Sequence, residues 1–319
     1  MSSPAIPLAY DYAPMQGTHD QMKAREHALV LVHGMTSAAA TFGNVMEELT
    51  SVAHVFAVDL RGHGRTAEPP TMGGENAEAF LDAFCIPTMA ADLAHFIRTV
   101  VFEEKGVAKE VGSVHVLGHS WGARVVSALA ADASSKALVQ SLIIEDEVMT
   151  ALELPAEQAT KELAIGKLAR AQGMWKEMHA SKEGAVKFCA DAMQGDVAAY
   201  DRKVMKIGEG DEPFKVLFKP HVAIAWNFHA TTFDCTAVWD GSAFKGPVGV
   251  IAAGDESGDI VVAKLEHSML EQASAAKSRG LDRRFTTIAG SSHSVHRSHP
   301  HEFVHSVRDF VAAVVHNID

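Results

Sequence analysis

Val114-His115-Val116-Leu117-Gly118-His119-Ser120-Trp121-Gly122 is the stretch that decides the fold. An apolar run leads into a serine with a glycine two residues away on each side. A small-residue segment, Ala123–Ala131, follows with helical character. Gly118–Gly122 fits G-x-S-x-G, and its flanks predict the context that pattern needs: a strand, a sharp turn, then a helix. A serine at such a turn is held proud of the sheet, where side chains two residues away would crowd neighbouring elements. The helix that starts there aims its first backbone N–H groups at the turn and favours developing negative charge.

Outward from this point, similar apolar runs recur. Ala28–Val32, His54–Val58, Ser141–Ile144, Val248–Ala252 and Phe285–Ile288 are nearly apolar and bounded by Gly, Asp or Ser. Unbroken apolar runs of this length predict strands buried on both faces, hence a mostly parallel sheet covered by helices. Two amphipathic helices are legible. Met89, Leu93, Phe96, Ile97 and Val100 share one helical stripe, and Phe303, Val307, Phe310, Val311 and Val314 repeat the spacing. Pro87 and Pro300 suit first turns. Arg65–Cys85, with Pro69, Pro70, Gly73 and Gly74, reads as a long surface loop.

Between Val148 and Phe244 the strand signal disappears. Helical segments such as Ala156–Gln172 and Gly184–Met193 take over, followed by Trp226, Phe228 and Trp239. The predicted class is α/β: a mostly parallel central sheet flanked by helices, with an inserted helical cap. The core spans residues 1–147 and 245–319, and the cap spans 148–244.

Composition limits the function. Charged residues make up 21% of the 319 residues and hydrophobic ones 47%, as in an ordinary globular protein. The net charge of −12 and the lack of a long Lys/Arg run argue against a nucleic-acid partner. Apolar runs such as Phe310–Val315 are too short for a membrane span. Met1–Pro14 lacks the basic and apolar regions of a signal peptide. Cys85, Cys189 and Cys235 form no CxxC pair, so a reducing, cytoplasmic location is expected. Neither a dinucleotide nor a P-loop glycine pattern occurs in a strand-to-helix context, so no cofactor is expected. Oligomeric state is not legible from one sequence.

With these pieces in order, the chain resembles the α/β-hydrolase superfamily along nearly its whole length. His33-Gly34 ends the first clear strand, as in the family's oxyanion loop. Asp59-Leu60-Arg61-Gly62-His63-Gly64-Arg65 is similar to D-x-R-G-x-G-x-S, with Arg65 in place of Ser. Gly290-Ser291-Ser292-His293 is similar to G-x-G-H, with Ser292 in place of glycine. The resemblance implies a serine nucleophile, Ser120, and oxyanion donors at the backbone N–H groups of Met35 and Trp121.

A serine needs an imidazole to take its proton and a carboxylate to hold that imidazole's tautomer. Among 18 histidines, position selects His293, in the turn after the last strand, with His296 as its nearest rival. The family usually places the acid after the strand that follows the cap, which makes Asp255 the first choice. Asp259 is an alternative in the same loop. Some members place the acid ahead of the cap, where this chain has Glu145-Asp146-Glu147. Asp59 and Arg61 are expected to brace loops rather than react.

His301-Glu302-Phe303-Val304-His305 matches the zinc pattern H-E-x-x-H. On the helix defined by Phe303–Val314, however, the two histidines fall ~140° and ~180° from the apolar stripe. No third ligand presents itself, and no metal is expected.

A serine nucleophile rules out the family's aspartate-nucleophile epoxide and haloalkane chemistries. The expected reaction is hydrolysis of a small, largely apolar carboxylic ester or related acyl compound through an acyl-enzyme. Trp175, Met193, Trp226 and Phe228 are candidate roof residues. C–C bond hydrolysis or lactone opening are alternatives. A small-molecule receptor with slow or no turnover is the alternative of another class.

Overall fold

The computed structural model describes residues 5–16, 27–35, 37–68, 77–147, 160, 164–168, 205–206, 215–216, 220–230, 233–254 and 266–316. Its main sheet has seven strands in the order β1-β3-β2-β4-β5-β8-β9. They are β1 (Ala9–Ala13), β2 (Ala28–Val32), β3 (His54–Asp59), β4 (Val114–His119), β5 (Val139–Glu145), β8 (Val248–Gly254) and β9 (Arg283–Ala289). β1 pairs antiparallel with β3, and every other neighbour pair is parallel. A two-stranded antiparallel ribbon, β6 (Met205–Lys206) with β7 (Lys215–Val216), lies between β5 and β8 in sequence.

The alternation of strand side chains builds two cores. Val30, Val32, Phe56, Val58, Val116 and Ile144 face one layer, with Met89, Leu93 and Phe96 of α2 (Ile86–Phe96). Leu29, Leu31, Val55, Leu117 and Ile143 face the other, with Phe303, Val307, Phe310 and Val311 of α7 (Pro300–His316). Each central strand is therefore buried on both faces, which is why it reads as an unbroken apolar run.

Other helices are α1 (Ala77–Ala83), α3 (Trp121–Ala131), α4 (Pro220–Ala230), α5 (Glu266–Ser278) and α6 (Val295–Ser298). α1 corrects the expectation of an unbroken loop over Arg65–Cys85. Phe80, Leu81, Ala83 and Phe84 are buried there against Val222 and Ala225 of α4. α2 passes into a π-helical stretch, Ile97–Glu104, that keeps Ile97 and Val101 buried. The small ribbon corrects the expectation that strands vanish between β5 and β8. Most of the expected cap, including Trp175 and Met193, lies outside the described residues, as do Pro69, Pro70, Gly73 and Gly74. Among the described residues, no single helix is long and apolar enough to cross a membrane.

The parallel strands present their carboxyl ends along one edge. The segments after β2, β4, β5 and β9 emerge together there, next to the point where strand order reverses around β2. Open α/β sheets bind their ligands at that edge.

Candidate active site

Ser120 follows β4 directly and begins α3, with φ 50° and ψ −128°. A non-glycine residue in that region stores ~1–3 kcal/mol of strain, which the surroundings must hold in place. They do so at close quarters. A β-carbon on Gly118 would come within 2.6 Å of the Ala123 backbone, and one on Gly122 within 2.5 Å of the His33 carbonyl oxygen. Only glycine fits either position, which is the physical content of the motif. The Ser120 N–H donates to the Glu145 carbonyl at 2.9 Å, tying the turn to the end of β5.

His33-Gly34 carries the chain past this turn. A β-carbon on Gly34 would lie 3.1 Å from the Ser120 β-carbon. The Leu60 N–H donates to His33 Nε2 at 3.1 Å, so the ring proton is on Nδ1, which donates to the Gly34 carbonyl at 2.7 Å. Burial pushes the His33 pKa down, which suits this neutral tautomer. With the Gly34 carbonyl held, the planar Gly34–Met35 peptide has a fixed Met35 N–H direction. His63 Nε2 lies 2.8 Å from the Met35 carbonyl oxygen. Trp226, fully buried on α4, packs edge-on against His63 at 5.1 Å and Trp121 at 6.3 Å. Trp226, a roof candidate, thus packs against the residues beside Ser120. Phe228 packs instead with the cluster around Phe80.

His293 sits in the turn after β9, with its Nδ1 donating to Asp146 Oδ2 at 2.7 Å. The carboxylate is buried (1% exposed) and the imidazole remains 38% exposed, so one edge of the ring is open to a substrate. Asp146 follows β5 with φ 46°. Its Oδ1 accepts the Ala253 N–H at 2.8 Å, and its own N–H donates to the Ile251 carbonyl at 2.8 Å, so β8 holds it from both sides. Burial lowers the His293 pKa, but the Asp146 hydrogen bond and charge, with Glu145 and Glu147, outweigh it and the net shift is upward. The residue before Ser120 touches the same group. His119 Nε2 donates to the His293 carbonyl at 3.0 Å, with the rings 4.9 Å apart.

Of the candidate acids, the one that His293 Nδ1 bonds is Asp146, the alternative ahead of the cap. A protonated Nδ1 has one hydrogen to give, and Asp146 takes it. Asp255 and Asp259 lie outside the described residues. His296, the rival of His293, is buried and gives its Nδ1 proton to Glu145 at 2.7 Å. Asp59 and Arg61 brace loops as expected. Asp59 accepts the Ala39 N–H at 2.7 Å and the Arg65 guanidinium at 2.8 Å, and Arg61 binds both oxygens of Asp92 at 2.6 Å. His301 and His305 stand on the solvent side of α7, 83% and 78% exposed. A different group, His119, Glu145 and His296, places one ligand-type atom each within 4.8 Å of the others. There the Glu145–His296 contacts of 2.7–2.9 Å are hydrogen-bond lengths.

Sequence reasoning missed His119 as part of this site, and it weighed Glu145 only as an alternative acid, not as the partner of His296. The available signal was the Glu145-Asp146-Glu147 run itself. Three carboxylates at the end of a buried strand demand partners, and each has a different one: His296, His293 and Arg124.

Comparison with known proteins agrees with the fold. Residues 29–306 match the model of the alpha/beta hydrolase family, and the chain belongs to that family. It is 33% identical over 120 residues to N-formylmaleamate deformylase of Pseudomonas putida, covering 38% of this chain and 37% of that protein. It is 33% identical over 132 residues to 2-(acetamidomethylene)succinate hydrolase of Mesorhizobium japonicum, covering 39% and 40%. The alignments thus span about two-fifths of these relatives. A crystal structure of E-2-(acetamidomethylene)succinate hydrolase superposes with a TM-score of 0.60 and 19% identity, over 90% of this chain and 93% of that one.

Proposed function

We propose that this protein is a serine hydrolase that cleaves a small, largely apolar acyl compound through Ser120, His293 and Asp146. The observation that carries this reading is the 2.7 Å bond from His293 Nδ1 to buried Asp146, beside a strained serine turn. In this mechanism Ser120 Oγ attacks the substrate carbonyl carbon and its proton passes to His293 Nε2. Asp146 stabilises the imidazolium that forms, and the N–H groups of Met35 and Trp121 hold the oxyanion. The tetrahedral species collapses, and His293 gives its proton to the leaving group. Water then attacks the acyl-enzyme by the same path in reverse.

A carboxylic ester is the first substrate class. The names of the two relatives, built on formyl and acetamido groups, favour N-acyl compounds as a second class at the same serine. The insertion between β5 and β8 serves as the cap over the site, a role supported by the packing of Trp226 against Trp121 and His63.

The test is turnover of p-nitrophenyl esters of increasing acyl length, and of N-formyl and N-acetyl amides, by wild type and Ser120→Ala, with a chelator control. The expected result is turnover insensitive to chelator and reduced by at least ~10⁴ in the variant. Substantial turnover by purified Ser120→Ala contradicts the mechanism.

A further inference from the structure

The Asp146–His293 pair has a neighbour of the same chemistry on its buried side. Glu145 Oε1 accepts both the His296 backbone N–H at 2.9 Å and the His296 Nδ1 proton at 2.7 Å, and Oε2 lies 2.9 Å from the same nitrogen. Both side chains are sealed from water, at 0% and 1% exposure. The His296 ring packs between Phe42, at 4.6 Å, and Phe303, at 5.9 Å. Its carbonyl accepts from Asn44 Nδ2 at 2.8 Å. So enclosed a pair has no path to a substrate.

Its connections lead to the reactive groups instead. The Glu145 carbonyl holds the Ser120 N–H, and its side chain holds residue 296. Asp146, the next residue, holds His293. Two consecutive carboxylates thus clamp the 293–296 turn at both ends, and the backbone carbonyl of Glu145 also anchors the serine turn. His119 fills the space between, 4.9 Å from the His293 ring and 5.1 Å from that of His296.

We propose that Glu145 and His296 form a non-reacting carboxylate–imidazole pair that positions Ser120 and His293 relative to each other. This rests on the serine-hydrolase reading above. A misplacement of about 1 Å at a reacting group costs on the order of a hundredfold in rate, so a clamp of this kind governs turnover without touching substrate. The pair acts on base strength as well. His293 is faced by Asp146, Glu145 and Glu147, and by the imidazole of His119, which separates it from that of His296. The Glu145 charge is one of those that raise its pKa. Burial pushes the Glu145 carboxyl up, but the imidazoles of His296 and His119 and the His296 hydrogen bonds together outweigh it, and the net shift is downward, toward the charged form.

The experiment measures the rate at which a fluorophosphonate labels Ser120, from about pH 5 to about pH 9, where a histidine base titrates. In that reaction Ser120 Oγ bonds to phosphorus, fluoride leaves, and His293 takes the proton. The proteins are wild type, Glu145→Gln, His296→Asn and His296→Leu, with thermal melts to establish folding. Glu145→Gln keeps an acceptor and loses the charge. It should label about tenfold more slowly at its plateau, with the acid limb moved to lower pH. His296→Leu should slow labelling by a similar factor. His296→Asn, whose amide nitrogen stands in for Nδ1, should restore most of the rate. Folded Glu145→Gln and His296→Leu proteins with the wild-type rate and limb would overturn the proposal. If Glu145→Gln does not fold, the two His296 variants decide, and equal rates in them overturn it. Labelling that survives Ser120→Ala would instead mean that the serine reading itself has failed.

Discussion

The sheet carries histidines at both ends of its strands, and their surroundings treat them differently. At the amino ends of the strands His27 and His115 face each other with ring centroids 5.4 Å apart, and His115 Nδ1 lies 2.8 Å from the Ser141 hydroxyl. Burial, with the nearby His27, pushes the His115 pKa down to about 3. At the carboxyl ends His293 is also penalised by burial, yet its pKa rises because Asp146, Glu145 and Glu147 surround it. His119, at that same edge, donates to a neutral carbonyl and is held down at about 3. The edge therefore does not decide. A buried imidazole stays neutral unless a carboxylate is aimed at it, and among His115, His119 and His293 only His293 has both that partner and an open ring edge.

The strongest way to break this contrast is to remove each imidazole. His293→Gln should lower kcat/KM on the best ester by at least ~10⁴, while His115→Asn should leave it within a few-fold. Comparable losses in both would dissolve the distinction. Next comes the pH profile. His293 must be neutral to accept the serine proton, and its pKa is raised, so kcat/KM should fall as pH drops through a limb above the ordinary value of 6.5. A rate that holds level to well below pH 6 would contradict its role.

At the amino ends the pKa shift has the opposite sign, and it makes a prediction about stability. The folded-state pKa of His115, about 3, lies below the unfolded value of 6.5, so the unfolded chain binds this proton first. Stability from a neutral His115 is complete above pH 6.5 and drains as pH falls toward 3. The slope is about 1.4 kcal/mol per pH unit for each such histidine. Urea midpoints for wild type and His115→Asn at several pH values should show a shallower acid loss in the variant, and parallel curves would refute the assignment. The smallest effect is expected on α7. His301→Ala and His305→Ala, at exposed positions, should change stability by no more than ~0.5 kcal/mol and leave turnover as it was.

Much of this was legible because burial on both faces writes itself as unbroken apolar runs. β2 falls on Ala28–Val32 as read, and the other central strands extend the predicted cores by a few residues at their ends. β1 escaped because Ala9–Ala13 is a half-buried edge strand in which tyrosines alternate with Asp11. α1 escaped because seven residues beside a Pro/Gly-rich stretch carry little periodicity. Ser120 was legible because its requirement is local: glycines that clear backbone 2.5–2.6 Å away. The carboxylate that partners His293 was not, because such a pairing is defined by geometry. Glu145, Asp146 and Glu147 are equivalent as sequence. The end of the strand and the positive φ of Asp146 send their side chains to three different partners.

The central claim is that Asp146 orients and charges His293, and it is tested most directly by comparing Asp146→Asn with Asp255→Asn. The readout is the second-order rate of fluorophosphonate labelling of Ser120, which does not depend on knowing the substrate. The account predicts a fall of at least about a hundredfold in Asp146→Asn, with a rate near wild type in Asp255→Asn. A fall in Asp255→Asn alone, with Asp146→Asn folded and labelled at the wild-type rate, would contradict it.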